Sequence, residues 1–135
     1  PNEAGQMPEL IKQFADSKPI LGICLGCQAL GEYFGADLYN MKTVKHGLQT
    51  PITIIDNFCL YKGVSPEIEV GRYHSWALNI ERSRALIPTA YDADNILMSF
   101  RHAILPIYGI QFHPESIMSP EGKLIIENWI DLKVD

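Results

Sequence analysis

The sequence predicts one α/β domain over residues 1–135, and three observations lead to that class. Helical patterns stand at both ends of the chain, several short β-rich runs lie between them, and one apolar run ends in a glycine-flanked turn that opens a helix. Hydrophobic residues make up 47% and charged residues 20% of the 135 positions, which is enough for one sizeable core. We therefore expect a sheet covered by helices.

The front of the chain predicts a helix, a strand and a second helix. Apolar residues at helical spacing, with Pro8 in the first turn, predict a helix over residues 8–15. The apolar run at residues 20–24 predicts a strand buried on both faces. Residues 28–34, closed by Gly35, predict a helix with a glycine C-cap. Cys24 lies in the turn between this strand and this helix.

The middle of the chain predicts antiparallel strands, because short β-rich runs alternate there with turn signals. These runs are residues 51–55, 58–61, 67–70, 86–91, 96–100 and 107–112. A final helix is predicted with Ser119 as its N-cap and Pro120 in its first turn, and Leu124 and Trp129 mark its apolar face. The last predicted strand ends directly at His113.

Composition and charge exclude several classes of function. A formal net charge of −5 with no run of Lys or Arg argues against a nucleic-acid interface and against a polybasic membrane surface. No apolar stretch reaches the roughly 18 residues that a membrane span needs. The 3 cysteines do not make a disulfide framework for a chain of this size. We expect a cytoplasmic protein whose partners are small molecules or another protein.

Cys24 lies in the motif GICLGCQ at residues 22–28, which leaves three interpretations open. A cysteine is often a small apolar core residue, but that role needs neither flanking glycines nor a strand-to-helix turn. Cys24 and Cys27 also form a C-x-x-C pair, as in redox sites or half of a zinc site, although no second pair and no suitable histidine spacing completes a metal site. The third interpretation is a nucleophile, lifted from the sheet by the turn and favoured as a thiolate by the helix N-terminus.

A nucleophilic cysteine needs a base, and His113 stands at the end of a predicted strand, where its ring can project towards the Cys24 turn. Pro114 stiffens the link to Glu115, whose carboxylate can orient the imidazole and fix its tautomer. The residues themselves therefore predict Cys24, His113 and Glu115 as a catalytic triad.

These motifs carry a family resemblance. GICLGCQ at residues 22–28 and GIQFHPES at residues 109–116 resemble the motifs of class I (triad-type) glutamine amidotransferases, in which a cysteine attacks the side-chain amide of glutamine. VKHG at 44–47, GRYHSW at 71–76 and SPEGK at 119–123 are similar, more specifically, to the glutaminase component (component II) of anthranilate synthase and of aminodeoxychorismate synthase. The match covers nearly the whole chain and implies a flavodoxin-like three-layer domain.

The resemblance implies a role for each matched residue. Cys24 is the nucleophile, His113 the base and later the acid, and Glu115 the orienting carboxylate, for hydrolysis of L-glutamine to glutamate and ammonia through a cysteinyl thioester. The backbone N–H of Leu25 is an oxyanion-hole donor. The positions that match substrate contacts are Leu25, Gln28, Ser75 and Trp76. No cofactor or metal is implied for this half of the enzyme, and any magnesium belongs to the partner.

The implied partner is a chorismate-using synthase subunit (component I), which receives the ammonia and makes anthranilate for tryptophan biosynthesis. The alternative product is aminodeoxychorismate, for folate biosynthesis. A γ-glutamyl peptidase shares the cysteine and the histidine, but RYHS at residues 72–75 and HPE at 113–115 count against it. A non-catalytic, partner-binding domain of this family would be free to lose the triad, and all three of its residues are present.

Three departures from the family pattern have consequences. Cys27 stands where relatives commonly have histidine or another residue, and we hypothesise that a Cys24–Cys27 disulfide makes the enzyme sensitive to oxidation. Trp76 stands where leucine is common, and it narrows the expected glutamine pocket. Residues 1–5 resemble the sequence just after the glycine-rich loop that supplies the second oxyanion donor. We therefore expect a domain that lacks its N-terminal strands in this chain and that alone hydrolyses little or no glutamine.

Overall fold

Helices lie near both ends of the chain and strands fill most of its middle in the computed structural model, which describes residues 5–132. In chain order the elements are α1 (Met7–Phe14), β1 (Ile20–Ile23), α2 (Leu25–Tyr33), β2 (Asp37–Ile54), a 3₁₀ helix (Cys59–Tyr61), β3 (Glu67–Asn79), β4 (Leu86–Asp92), β5 (Leu97–His102), β6 (Ile107–Ile110) and α3 (Gly122–Ile130). The predicted α/β class is confirmed. Within residues 5–132, no helix has both the length and the apolar character needed to cross a membrane.

The strands form one sheet in the order β1-β6-β5-β4-β2-β3. β1 runs parallel to β6, with Ile23 opposite Ile110, and the other neighbouring strands are antiparallel. Parallel strands end at the same edge of a sheet. The turn that carries Cys24 and the loop that carries His113 therefore leave the sheet at one edge.

Helices lie on both faces of the sheet. Alternate residues of a strand point to opposite faces, so neighbouring residues of β6 show which helices lie on each face. Ile107 of β6 packs in a buried cluster with Ile11 of α1 and Leu30 of α2. Ile110, on the other face of the same strand, packs in a second cluster with Tyr61 and with Ile125 of α3. The sheet thus lies between α1 and α2 on one side and α3 on the other, in three layers.

The strand predicted at residues 58–61 is wrong, because this segment contains a 3₁₀ helix at Cys59–Tyr61. Leu60 and Tyr61 are fully buried, so the segment has the apolar composition of a strand. Its carbonyl groups bond to α3 instead of to a strand, since Asn128 Nδ2 donates to Leu60 O and Lys62 O, both at 2.9 Å. A tight turn and a buried strand look alike in sequence when both are apolar.

The sequence pattern also missed most of β2 and half of β3. Between Asp37 and Gln49 most side chains of β2 are exposed, so no alternating apolar pattern marks the strand. Backbone pairing holds it instead: β2 lies antiparallel to β3 from Asp37 opposite Asn79 to Thr53 opposite Glu67. This long pairing puts GRYHSW at residues 71–76 on a strand.

The helix-boundary predictions had mixed outcomes. Gly35 has a φ of +94°, which fits the predicted glycine at the end of α2. Ser119 is not the N-cap of α3, because that position belongs to Glu121. The Ser119 hydroxyl instead accepts from Gly71 N–H at 2.8 Å and donates to His113 O at 2.7 Å. The Ser119 hydroxyl therefore makes tertiary hydrogen bonds, although the local sequence pattern predicted that it would cap α3.

Close packing of β1 against α2 depends on Gly22. A Cβ added at Gly22 would lie 2.6 Å from the backbone carbonyl carbon of Gly26 and 2.6 Å from Leu30 Cδ1. We expect Gly22→Ala to lower the free energy of unfolding by about 2 kcal/mol, the usual cost of overpacking, as measured by urea denaturation of the full-length protein.

Gly26 supplies the matched control, because a Cβ added there meets nothing within 4 Å. Alanine also has the higher helix propensity, so Gly26→Ala is expected to leave stability unchanged or to raise it by about 0.5 kcal/mol. Equal destabilisation by the two substitutions would contradict the packing argument.

Candidate active site

Cys24 occupies a strained turn between β1 and α2. Its φ is +54° and its ψ is −105°, a backbone conformation that non-glycine residues rarely adopt. Hydrogen bonds on both sides hold the turn: Cys24 N–H donates to Ile110 O at 2.9 Å, and Cys24 O accepts from Gln28 N–H at 3.1 Å. The turn is therefore fixed at once to β6 and to the first turn of α2.

His113 is held by backbone contacts between the loop after β6 and strand β3. Its N–H donates to Gly71 O at 3.0 Å, and its carbonyl oxygen accepts from the Ser119 hydroxyl at 2.7 Å. Ser119 in turn accepts from Gly71 N–H. These bonds connect His113, Gly71 and Ser119 in a closed set, so the position of the histidine depends on β3 as well as on β6.

The His113 ring is oriented by Glu115 and Tyr73. His113 Nδ1 lies 2.6 Å from Glu115 Oε1, and because a carboxylate only accepts, Nδ1 carries a hydrogen, so the neutral form of the ring presents its lone pair at Nε2. The Tyr73 ring meets the His113 ring edge to face, with centroids 5.1 Å apart. The arrangement leaves Nε2 available as a base, and among residues 5–132 no hydrogen bond joins it to the Cys24 sulfur.

The Cys24 thiol has a raised pKa, and burial is the largest cause. The backbone N–H of Leu25 lowers the pKa, the negative charge of Glu115 raises it, and a hydrogen bond from Gln111 lowers it. The direction of this shift favours the neutral thiol, and the Leu25 N–H at the helix N-terminus acts against it, as we expected. Attack by this sulfur requires a base to remove the proton.

The residues predicted to hold substrate lie near this edge, and they differ in exposure and in their hydrogen bonds. Leu25 is 54% exposed, and its backbone N–H faces the Cys24 sulfur. Gln28 is buried, and its Nε2 donates to Trp76 O and to Gln111 Oε1, both at 3.0 Å. Ser75 is half-buried on β3, and its hydroxyl makes no hydrogen bond within the described residues. The Trp76 ring is 45% exposed.

A buried polar group on β3, which the sequence analysis did not single out, supports this region. Arg72 Nη1 lies 2.6 Å from Asp92 Oδ2, and both side chains are almost inaccessible to solvent. Arg72 Nε donates to His74 Nε2 at 3.1 Å. Burial lowers the pKa of His74 to about 4, so its ring is neutral at physiological pH. The signal in the sequence was an Arg and a His two positions apart on one face of a strand.

Comparison with known proteins decides the family, because the class-I glutamine amidotransferase model matches residues 1–132. This chain belongs to the class I glutamine amidotransferase family. It is 37% identical over 134 residues to anthranilate synthase component 2 of Thermus thermophilus, a match that covers 97% of this chain and 65% of that protein. It is 38% identical over 132 residues to aminodeoxychorismate/anthranilate synthase component 2 of Bacillus subtilis, a match that covers 97% of this chain and 68% of that protein.

Solved structures share the fold of this amidotransferase domain. A Thermoplasma acidophilum protein described as a candidate component of GMP synthase superposes with a TM-score of 0.86 at 30% identity, over 96% of this chain and 64% of that one. A glutamine amidotransferase from Thermotoga maritima superposes with a TM-score of 0.69 at 22% identity, over 93% and 50%. The chain thus spans about two thirds of the curated relatives and half to two thirds of these solved chains.

The two neighbouring cysteines of the amidotransferase domain lie in different environments. All three cysteines are free thiols, and Cys27 is buried while Cys24 is partly accessible. Cys27 packs against β6, since a Cβ added at Gly109 would lie 2.9 Å from its sulfur. Its burial strongly raises the pKa of the Cys27 thiol. Among residues 5–132 no group of His, Cys, Asp or Glu side chains is arranged to hold a metal ion.

The Arg72–Asp92 ion pair supports a first prediction about the site's stability. Removing one partner of a buried pair leaves the other charge uncompensated, so we expect Arg72→Met to lower the free energy of unfolding by about 3 kcal/mol in urea denaturation. Arg82→Met is the control, because its pair with Asp37 is exposed on both sides, and it should cost less than about 0.5 kcal/mol. Similar losses in the two variants would contradict the assignment.

A second prediction concerns acid stability. The pKa of His74 is about 4 in the folded protein and near 6.5 in an unfolded chain, so the unfolded state binds a proton first as the pH falls. The stability contributed by neutral His74 is complete above about pH 6.5 and is lost between there and about pH 4. Wild type should therefore lose about 2–3 kcal/mol more than His74→Asn over this range. Parallel curves of unfolding free energy against pH would contradict this.

Proposed function

We propose that the domain hydrolyses L-glutamine through a thioester on Cys24 and passes the ammonia to a chorismate-using synthase subunit that makes anthranilate. The observation that carries this proposal is the common edge of β1 and β6, where the Cys24 turn and the His113–Glu115 pair leave the sheet together. Family membership supports the reaction class, and the component 2 proteins among the relatives support the pathway.

The proposed reaction follows from the protonation states at the site. His113 Nε2 takes the proton from the Cys24 thiol as the sulfur attacks the side-chain carbonyl of glutamine. The Leu25 N–H stabilises the negative charge that develops on the carbonyl oxygen. Collapse of the tetrahedral intermediate breaks the C–N bond, and His113 returns the proton to the leaving nitrogen, which departs as ammonia. His113 then activates a water that attacks the thioester, which releases glutamate and restores the thiol.

The raised pKa of Cys24 suits this sequence of proton transfers. A sulfur that is neutral at rest gives up its proton only as the attack proceeds, so Glu115 serves by holding Nδ1–H and by stabilising the imidazolium that forms.

Substrate contacts are proposed for the residues at the β3 side of the edge. Ser75 contributes its unengaged hydroxyl, and Trp76 narrows the pocket with its exposed ring. Gln28 contributes through Oε1, because both hydrogens of its amide nitrogen are already donated to protein acceptors. The Ser75 hydroxyl and the Gln28 amide oxygen suit the polar amino-acid end of glutamine.

The proposed partner is the synthase subunit of a heteromeric complex in the cytoplasm. Free ammonia is protonated in water, so its transfer requires a subunit that covers the site. The free thiols of all three cysteines suit a reducing compartment, and the acidic net charge of −5 does not suit nucleic acid or an anionic membrane. Aminodeoxychorismate is the second candidate product, because the Bacillus subtilis relative carries both synthase names and a Serratia marcescens aminodeoxychorismate synthase component 2 is 36% identical.

The decisive experiment reconstitutes the full-length protein with its synthase partner and supplies chorismate with either glutamine or ammonia. Cys24→Ser is expected to reduce glutamine-dependent product formation by about a thousandfold or more and to leave ammonia-dependent formation intact, since the partner still receives ammonia. Mass spectrometry of the product separates anthranilate from aminodeoxychorismate.

Cys59→Ser is the matched control, because Cys59 is an exposed free thiol on the 3₁₀ helix. It should retain full activity with both nitrogen sources. Glutamine hydrolysis that survives in Cys24→Ser would refute the thioester mechanism, and loss of both activities would show a failure of assembly instead of chemistry.

A further inference from the structure

A series of buried hydrogen bonds begins at the Arg72–Asp92 pair, and the chemistry of each group fixes which atom donates and which accepts. Arg72 Nε can only donate, so His74 Nε2 must accept from it at 3.1 Å. The hydrogen of the neutral ring is then on Nδ1, which donates to Trp76 O at 2.9 Å. Asp92 Oδ2 holds Arg72, and Asp92 Oδ1 accepts from the backbone N–H groups of Asp94 and Ile96, both at 2.8 Å.

The series continues from Trp76 O to the nucleophile. A carbonyl oxygen only accepts, so the Gln28 atom 3.0 Å from Trp76 O is the amide nitrogen. The second hydrogen of that nitrogen goes to Gln111 Oε1, also at 3.0 Å. The Gln111 amide therefore turns Nε2 towards Cys24, and Nε2 lies 3.7 Å from Cys24 Sγ, within hydrogen-bond distance for sulfur.

Gln111 is rigidly placed for this contact. Its side chain is 1% exposed, and its backbone N–H donates to Met98 O at 2.8 Å. It lies between the end of β6 and His113, so one short segment carries both the proposed base and a donor to the proposed nucleophile. A buried amide with this many fixed partners has little freedom to rotate.

We propose that Gln111 is a positioning residue for Cys24, and that Gln28 acts on the sulfur through Gln111. The proposal rests on the proposed glutaminase function, which it extends by a residue outside the triad. The Gln111 N–H holds the sulfur in the attacking position and strengthens its hydrogen bond as negative charge develops there.

The chemistry of the thiol agrees with this role. The hydrogen bond from Gln111 lowers the pKa of Cys24, against the effects of burial and of Glu115. A donor is the group that a partly buried sulfur needs when it loses its proton, because burial reduces the water that would otherwise solvate the anion.

The role is distinguishable from simple substrate binding. A substrate contact affects KM for glutamine, whereas a group that positions the sulfur affects kcat and the reactivity of Cys24 even without substrate. Alkylation by iodoacetamide measures that reactivity directly, because the rate follows the thiolate fraction. We specify a Cys59→Ser background, which removes the exposed thiol, and Cys24→Ser reports any reaction at the buried Cys27.

The test compares Gln111→Met with Gln13→Met in the full-length protein, Gln13 being an exposed glutamine on α1. Gln111→Met is expected to slow Cys24 alkylation near neutral pH by about three- to tenfold, which is the effect of one lost hydrogen bond. The midpoint of the alkylation rate's pH profile should move to higher pH. We expect kcat for glutamine hydrolysis to fall by about the same factor with little change in KM. Gln13→Met should match wild type in every measurement.

Two further variants keep the test decisive if Gln111→Met does not fold. Gln111→Glu keeps the side-chain volume and the acceptor for Gln28, but turns an oxygen to the sulfur, so it should slow alkylation at least as much. Gln28→Met releases the Gln111 amide, and without substrate the double variant should slow Cys24 alkylation no more than Gln111→Met alone, because both residues act on the sulfur through one contact. Superimposable alkylation profiles for folded Gln111 variants and wild type would overturn the proposal.

Failure of this proposal is separable from failure of the proposed function. If wild type hydrolyses no glutamine but Gln111→Met still shifts the alkylation profile, the positioning of the sulfur stands and the reaction is wrong. If wild type is an active glutaminase and the Gln111 variants match it in both kcat and alkylation, the reaction stands and the positioning role is wrong.

Discussion

The pairing of β1 with β6 is the interaction on which the rest of the site depends. It is the parallel pair of the described sheet, and its last bond, from Cys24 N–H to Ile110 O, sets the Cys24 turn beside the loop of His113. Gly22 permits this arrangement because α2 can approach β1 closely only where no Cβ intervenes. The strained φ of Cys24 persists because the strand pair and the helix fix it from both sides.

A second constraint reaches the same edge from β3. The Arg72–Asp92 pair lies in the interior, where an isolated charge is expensive, and Asp92 is further satisfied by backbone donors. A guanidinium that can only donate fixes the tautomer of His74, whose ring donates to Trp76 O, and the same carbonyl oxygen accepts from the Gln28 amide that leads to Cys24. A buried polar network thus determines orientation where hydrophobic packing would leave the amides free.

The residues of the proposed catalytic triad could be singled out because their evidence is local. Two short motifs, each directly after an apolar run, can be recognised without the fold: a glycine-flanked cysteine and a His-Pro-Glu segment. The structure places both at one sheet edge. Local evidence failed at Cys59–Tyr61, where an apolar turn resembles a strand, and along the front of β2, whose exposed side chains show no alternation. It also failed at Ser119, whose hydroxyl bonds across the molecule instead of capping α3.

The sequence by itself determined the α/β class, the terminal helices, the family and the residues of the proposed triad, because each is written in neighbouring residues and their spacing. Only the tertiary structure decided the raised pKa of Cys24, the lowered pKa of His74 and the contacts of Arg72, Asp92 and Gln111. Those properties depend on burial and on hydrogen-bond partners that stand far apart in the chain. Folding creates both the low-polarity surroundings and the neighbours, and neither exists in the linear order of the residues.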